Sequence, residues 1–79
     1  MQQIDIGDII RDELRRQGHS NTWLATRIGI TPRATQKIFL KRGIDTRQLL
    51  LISRALGRDF FRLYSELLES ESIGKTEHP

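Results

Sequence analysis

The stretch that decides the fold runs from Ser20 to Arg42, SNTWLATRIGITPRATQKIFLKR. It splits at Gly29 into two short segments of helical period. Ser20 is a good N-cap for a helix over Asn21 to Ile28, with Leu24, Ala25 and Ile28 facing inward. Thr31 and Pro32 open the next helix, which runs to about Leu40. Threonine caps it, and proline at the first helical position lacks only an amide that would be orphaned anyway. The turn between them is only three or four residues long, and Gly29 supplies the positive φ it needs.

Two short helices joined this tightly, with the small Ala25 letting them cross closely, form the helix-turn-helix pattern. Its second helix characteristically lies in the major groove of DNA. At about 100° per residue, Ala34 and Ile38 point inward on that helix while Arg33, Gln36 and Lys37 share the opposite face. Arg33 can donate two bonds to guanine, Gln36 can pair with adenine, and Lys37 suits a base or a phosphate. Thr31 and Pro32, at the same helix end, lie nearest the groove in this reading. Asn21 at the start of the preceding helix suits a phosphate, as do Lys41, Arg42 and Arg47 just beyond the second helix.

Outward from this pair the chain also reads as helices. A first helix spans about Asp5 to Gln17, with Ile6, Ile9, Ile10 and Leu14 on one stripe and Gly18 closing it. Asp8, Asp12 and Glu13 are read as lying in its opening turns, where they favour its dipole and the cap-region amides. Asp45 with Gln48 resembles a capping box for a fourth helix, to about Leu56, with Leu49, Ile52, Ala55 and Leu56 inward. Asp59 caps a fifth, whose stripe is Phe60, Leu63, Tyr64, Leu67 and Leu68. The polar stretch from Ser70 reads as a frayed tail, giving a domain over residues 1–69 and a flexible tail over 70–79. No strand-like alternation occurs, so the expected fold is all-α with five helices.

The chain has 79 residues, enough for one domain with a single shared core. Its five aromatics, Trp23, Phe39, Phe60, Phe61 and Tyr64, are read mainly as core. Phe39 and Phe61 are the ones expected to reach a partner surface, with Leu40 and the fifth helix as further dimer candidates. Net charge is +3, but its distribution is uneven. Ten basic residues and one acid, Asp45, lie between Leu14 and Arg58. Such a segment repels itself unless a polyanion neutralises it, which points to nucleic acid.

Other classes are disfavoured. Without cysteine there is no disulfide framework, thiolate zinc site or cysteine nucleophile. His19 and His78 have no second ligand at metal spacing, so neither metal nor cofactor is expected. Gly74-Lys75-Thr76 resembles the end of a phosphate-binding loop, but Glu69 stands where that loop needs its first glycine. No pair of carboxylates is placed for acid–base work, and no enzyme is expected. The longest apolar run, Leu49 to Ile52, is far short of the ~20 residues of a membrane helix. The first residues lack the basic start of a secretory signal, so a cytoplasmic protein is expected.

The segment from Ile6 to about Leu68 resembles the Cro/lambda-repressor-like (XRE-type) helix-turn-helix family. The likeness extends to Ile44–Phe61, with the pattern I-D-T-x-x-L-L-x-I-S-x-A-L-x-x-D-F-F. The resemblance implies a compact five-helix domain binding double-stranded DNA in a sequence-specific way, commonly as a homodimer, and usually repressing transcription. It implies base contacts at Thr31, Pro32, Arg33, Gln36 and Lys37, and a phosphate contact at Asn21. Thr35 departs from the usual aliphatic residue, which implies weaker packing there or a bond from its hydroxyl to its own backbone. Pro32 departs from a usual polar residue and leaves contact with a thymine methyl. The alternative is a protein-interaction module with the same fold, such as an antitoxin or an adaptor for an acidic partner.

Overall fold

A computed structural model describes residues 4–40 and 44–75. Five helices follow in order: α1 (Ile6–Arg16), α2 (Asn21–Ile28), α3 (Pro32–Leu40), α4 (Thr46–Leu56) and α5 (Phe61–Lys75). The described residues contain no strand, and the fold they form is all-helical.

Local chemistry sets the helix ends. The Trp23 amide donates to Ser20 Oγ at 3.1 Å and opens α2, while the Gln48 amide donates to Asp45 Oδ1 at 2.7 Å and opens α4. Such caps each contribute about 1 kcal/mol. The Ala34 amide donates to Thr31 Oγ1 at 3.1 Å, leaving Pro32 to fill the first position of α3. Gly29 ends α2 at φ 76°, its amide donating to the Ala25 carbonyl. The Ile30 amide shares that carbonyl, and the chain turns directly into α3. At α5 the Asp59 carboxylate accepts from the Phe61 amide.

The core is one cluster fed by four helices and the turn before the fifth: Ile6, Ile10 and Leu14 from α1, Leu24 and Ile28 from α2, Ile38 and Phe39 from α3, and Leu49, Ile52 and Leu56 from α4, with Phe60 just before α5. Removing each such side chain from water contributes about 1.5–3 kcal/mol. α3 packs on both α1 and α2, and α4 packs on α2. The contact with α1 is very close, because a β-carbon on Gly7 would stand 2.5 Å from the Phe39 carbonyl oxygen.

Several placements differ from the sequence reading. Phe39 is core, not a partner surface, because the buried side of α3 carries Thr35, Ile38 and Phe39 while Ala34 is only half-buried. Thr35 is fully buried, and its hydroxyl donates to the Thr31 carbonyl at 3.1 Å. That is one of the two outcomes expected for this polar departure. Trp23 is half-buried at the core's edge, and Tyr64 is 40% exposed. α5 continues to Lys75, past Ser70 where fraying was expected. Residues 76–79 lie outside the described residues.

Glu13 is not an opening-turn carboxylate. It is buried in the last turns of α1 and accepts from Arg16, from Gln17 Nε2 at 2.8 Å and from Arg58 Nη1 at 2.8 Å. Gln17 Nε2 also donates to the Leu56 carbonyl at 2.8 Å. The network ties the end of α1 to the end of α4. The Arg16 bond, then Gln17 and Arg58, hold the Glu13 carboxyl down to about 2 against the opposing effect of burial.

Candidate nucleic-acid interface

With Thr35, Ile38 and Phe39 held in the core, helical geometry turns the other side of α3 outward. Thr31, Pro32, Arg33, Gln36 and Lys37 are all exposed. Arg33, Gln36, Lys37 and Leu40 follow at helical-face spacing, so they share one stripe. Leu40 is 82% exposed at its end, a large apolar residue beside the basic ones.

The basic residues of α2, α3 and α4 stand in no ion pair among the described residues. Among the described residues, ion pairs join Arg11 to Asp8, Arg16 and Arg58 to Glu13, and Arg62 to Glu66. All involve arginines of α1, α5 or the turn before α5. Arg27, Arg33, Lys37, Arg47 and Arg54, carried by α2, α3 and α4, face no carboxylate within pairing distance among those residues, and neither does Arg15 of α1. Arg27 instead lies over the Trp23 ring at 5.1 Å, while His19 stacks on that ring at 3.6 Å. The stack of His19, which precedes α2, with Trp23 and Arg27 of α2 was not anticipated; the four-residue spacing is its only sequence trace.

Two flanking elements adjoin the stripe. Asn21 is half-buried as the first residue of α2, beside its N-terminal amides. Arg47 is exposed in the first turn of α4, and with Gly29, Ile30 and Thr46 it lines an open cleft of about 700 Å³. The start of α4 therefore lies against the turn that leads into α3. Lys41 and Arg42, expected beside them, lie outside the described residues.

The supporting residues are less visible in the sequence than the exposed ones. Gly7 sets how closely α3 rests on α1, and Thr35 uses its hydroxyl on the helix's own backbone. Among the described residues no three His, Cys, Asp or Glu side chains gather to hold a metal. No described helix is long and apolar enough to cross a membrane. No protein-family model, curated protein or solved structure matches the chain.

Proposed function

We propose that the chain is a non-enzymatic, cytoplasmic DNA-binding protein of the Cro/lambda-repressor-like helix-turn-helix kind, with α2 and α3 as the motif. It regulates transcription, as a repressor, by occupying an operator. The observation that carries this reading is the outer face of α3: exposed donors Arg33, Gln36 and Lys37, no carboxylate pairing with Arg33 or Lys37 among the described residues, and a reverse face buried in the core. An unneutralised cationic stripe on a rigid helix suits a polyanion that carries hydrogen-bond acceptors in a groove.

In this reading Arg33 and Gln36 read base edges, Lys37 serves base or phosphate, and Thr31 and Pro32 border the groove at the helix entrance. The Thr31 hydroxyl is already the acceptor for the Ala34 amide, so its methyl is the freer part. Asn21 and Arg47 hold phosphates on either side, joined by Lys41 and Arg42. A two-fold pair would set two such helices about 34–36 Å apart, one turn of duplex.

Salt titration of duplex binding tests the proposal. The slope of log affinity against log salt should be about −0.9 for each phosphate neutralised. A slope near zero, or equal affinity for selected and random duplexes at low salt, would favour a protein-interaction module instead.

A further inference from the structure

α3 carries an exposed apolar side chain on the same side as its cations. Leu40 is 82% exposed, more than Leu50, Tyr64 or Leu68. It ends the stripe that begins at Arg33 and runs through Gln36 and Lys37. An exposed leucine standing alone on a surface means little; this one stands in line with three donors. Its backbone is also held in place. Phe39, the residue before it, is in the core, and the close approach of Gly7 to the Ile38 and Phe39 carbonyls seats the last turn of α3 on α1.

The charge pattern decides what Leu40 meets. Neither Arg33 nor Lys37 has an ion-pair partner among the described residues. A second copy docking through this stripe would bring like charges together, because a two-fold contact pairs a surface with itself. A DNA groove accepts the cations and offers one apolar group among its base edges, the 5-methyl of thymine. Positions i, i+3, i+4 and i+7 are a spacing at which a helix lying in the major groove reads bases along its length. Arg33, Gln36, Lys37 and Leu40 have that spacing.

We propose that Leu40 is a specificity-determining residue that packs against a thymine methyl at the far end of the segment read by α3. The assignment rests on the DNA reading of that helix. Seven residues of helix span about 10 Å, and base pairs are about 3.4 Å apart, so the thymine lies about three base pairs from the pair read by Arg33. No hydrogen bond is involved. Selection comes from taking apolar surface out of water, about fourfold in affinity for one methyl-sized group.

The test starts from the duplex that the wild type selects out of a random pool. Each of its thymines is replaced in turn by deoxyuridine, which removes the 5-methyl and leaves every hydrogen-bonding group in place. At one position, about three base pairs from the pair at which Arg33→Ala relaxes preference, wild-type affinity should fall about fourfold. Leu40→Ala should bind the unmodified duplex about fourfold more weakly and lose nothing further when that methyl is removed. Leu40 is exposed, so the variant should keep the wild-type circular dichroism and the wild-type molar mass without DNA. Deoxyuridine tolerated at every position overturns the proposal, as does a methyl effect confined to pairs beside that of Arg33, where Pro32 lies. A Leu40→Ala variant as sensitive to the methyl as wild type, or altered in molar mass, also overturns it. In all these cases Arg33→Ala would still relax preference at its own base pair, so the DNA reading would stand. A wild type that selects no duplex overturns both.

Discussion

Gly7 of α1 rests against the carbonyl of Phe39 in α3, so closely that a β-carbon would lie 2.5 Å from that oxygen. The neighbour is backbone and cannot rotate away. This contact fixes the depth at which α3 sits and, with it, how far its outer stripe stands from the body. Gly7→Ala should therefore lower stability by about 1–3 kcal/mol, an overpacking cost. In a chain this short, each kcal/mol lowers the melting temperature by about 4–8 °C. Thermal unfolding checks it; an unchanged midpoint would show that the helices separate at no cost.

Gly29 makes the contrasting case. Its φ is 76°, and no atom lies within 4 Å of where a β-carbon would be. Gly29→Ala should cost about 1–2 kcal/mol from backbone strain alone. Gly29→Asn should cost less, because asparagine tolerates the left-handed region better. Chemical denaturation of the two variants separates strain from crowding: equal losses would contradict the conformational explanation.

Glu13 predicts an acid limb. Its carboxyl is held at about 2, below the ordinary 4.5, so the folded state favours the ionised form. The stability this contributes is fully present above pH 4.5 and is lost as pH falls toward 2. Glu13→Gln removes the charge facing Arg16 and Arg58 and should destabilise the protein by about 2 kcal/mol at pH 7, both arginines being partly solvated. The difference from wild type should shrink on acidification. Melting curves at pH 7 and pH 3 report it; a constant difference would show that the carboxylate is not held in its charged form.

Arg33→Ala and Arg47→Ala should separate the two contact classes. Loss of Arg33 should cost about 1–3 kcal/mol on the preferred duplex and relax preference at one base pair. Loss of Arg47 should weaken binding to all duplexes alike and reduce the salt slope by about one. Competition binding with single-base variants of the preferred site distinguishes them. If both substitutions acted without regard to sequence, Arg33 would be a phosphate contact rather than a reader of bases.

Much of this architecture is legible in the sequence because its signals are local. Ser20, Thr31 and Asp45 satisfy amides three residues away, and Gly29 adopts its left-handed conformation for the helix it closes. The exposure of Arg33, Gln36 and Lys37 also follows from helical period. The depth of each residue on α3 does not. Periodicity points to Ala34, whereas the approach of α1 at Gly7 rolls Thr35 and Phe39 into the core. Nor does any local pattern reveal Glu13, whose partner Arg58 stands 45 residues away. A large aromatic reads as core, whereas Trp23 is half-buried at the core's edge, stacked by His19 from just before α2 and faced by Arg27 one turn on.

Selection from a pool of random duplex DNA, with wild type and a variant carrying Arg33→Ala, Gln36→Ala and Lys37→Ala in parallel, tests the role of α3 most directly. The wild type should enrich one short sequence motif, and the triple variant should fold normally but enrich none. Enrichment of the same motif by both proteins, or of no motif by the wild type at low salt, would contradict the assignment of that face to a DNA groove.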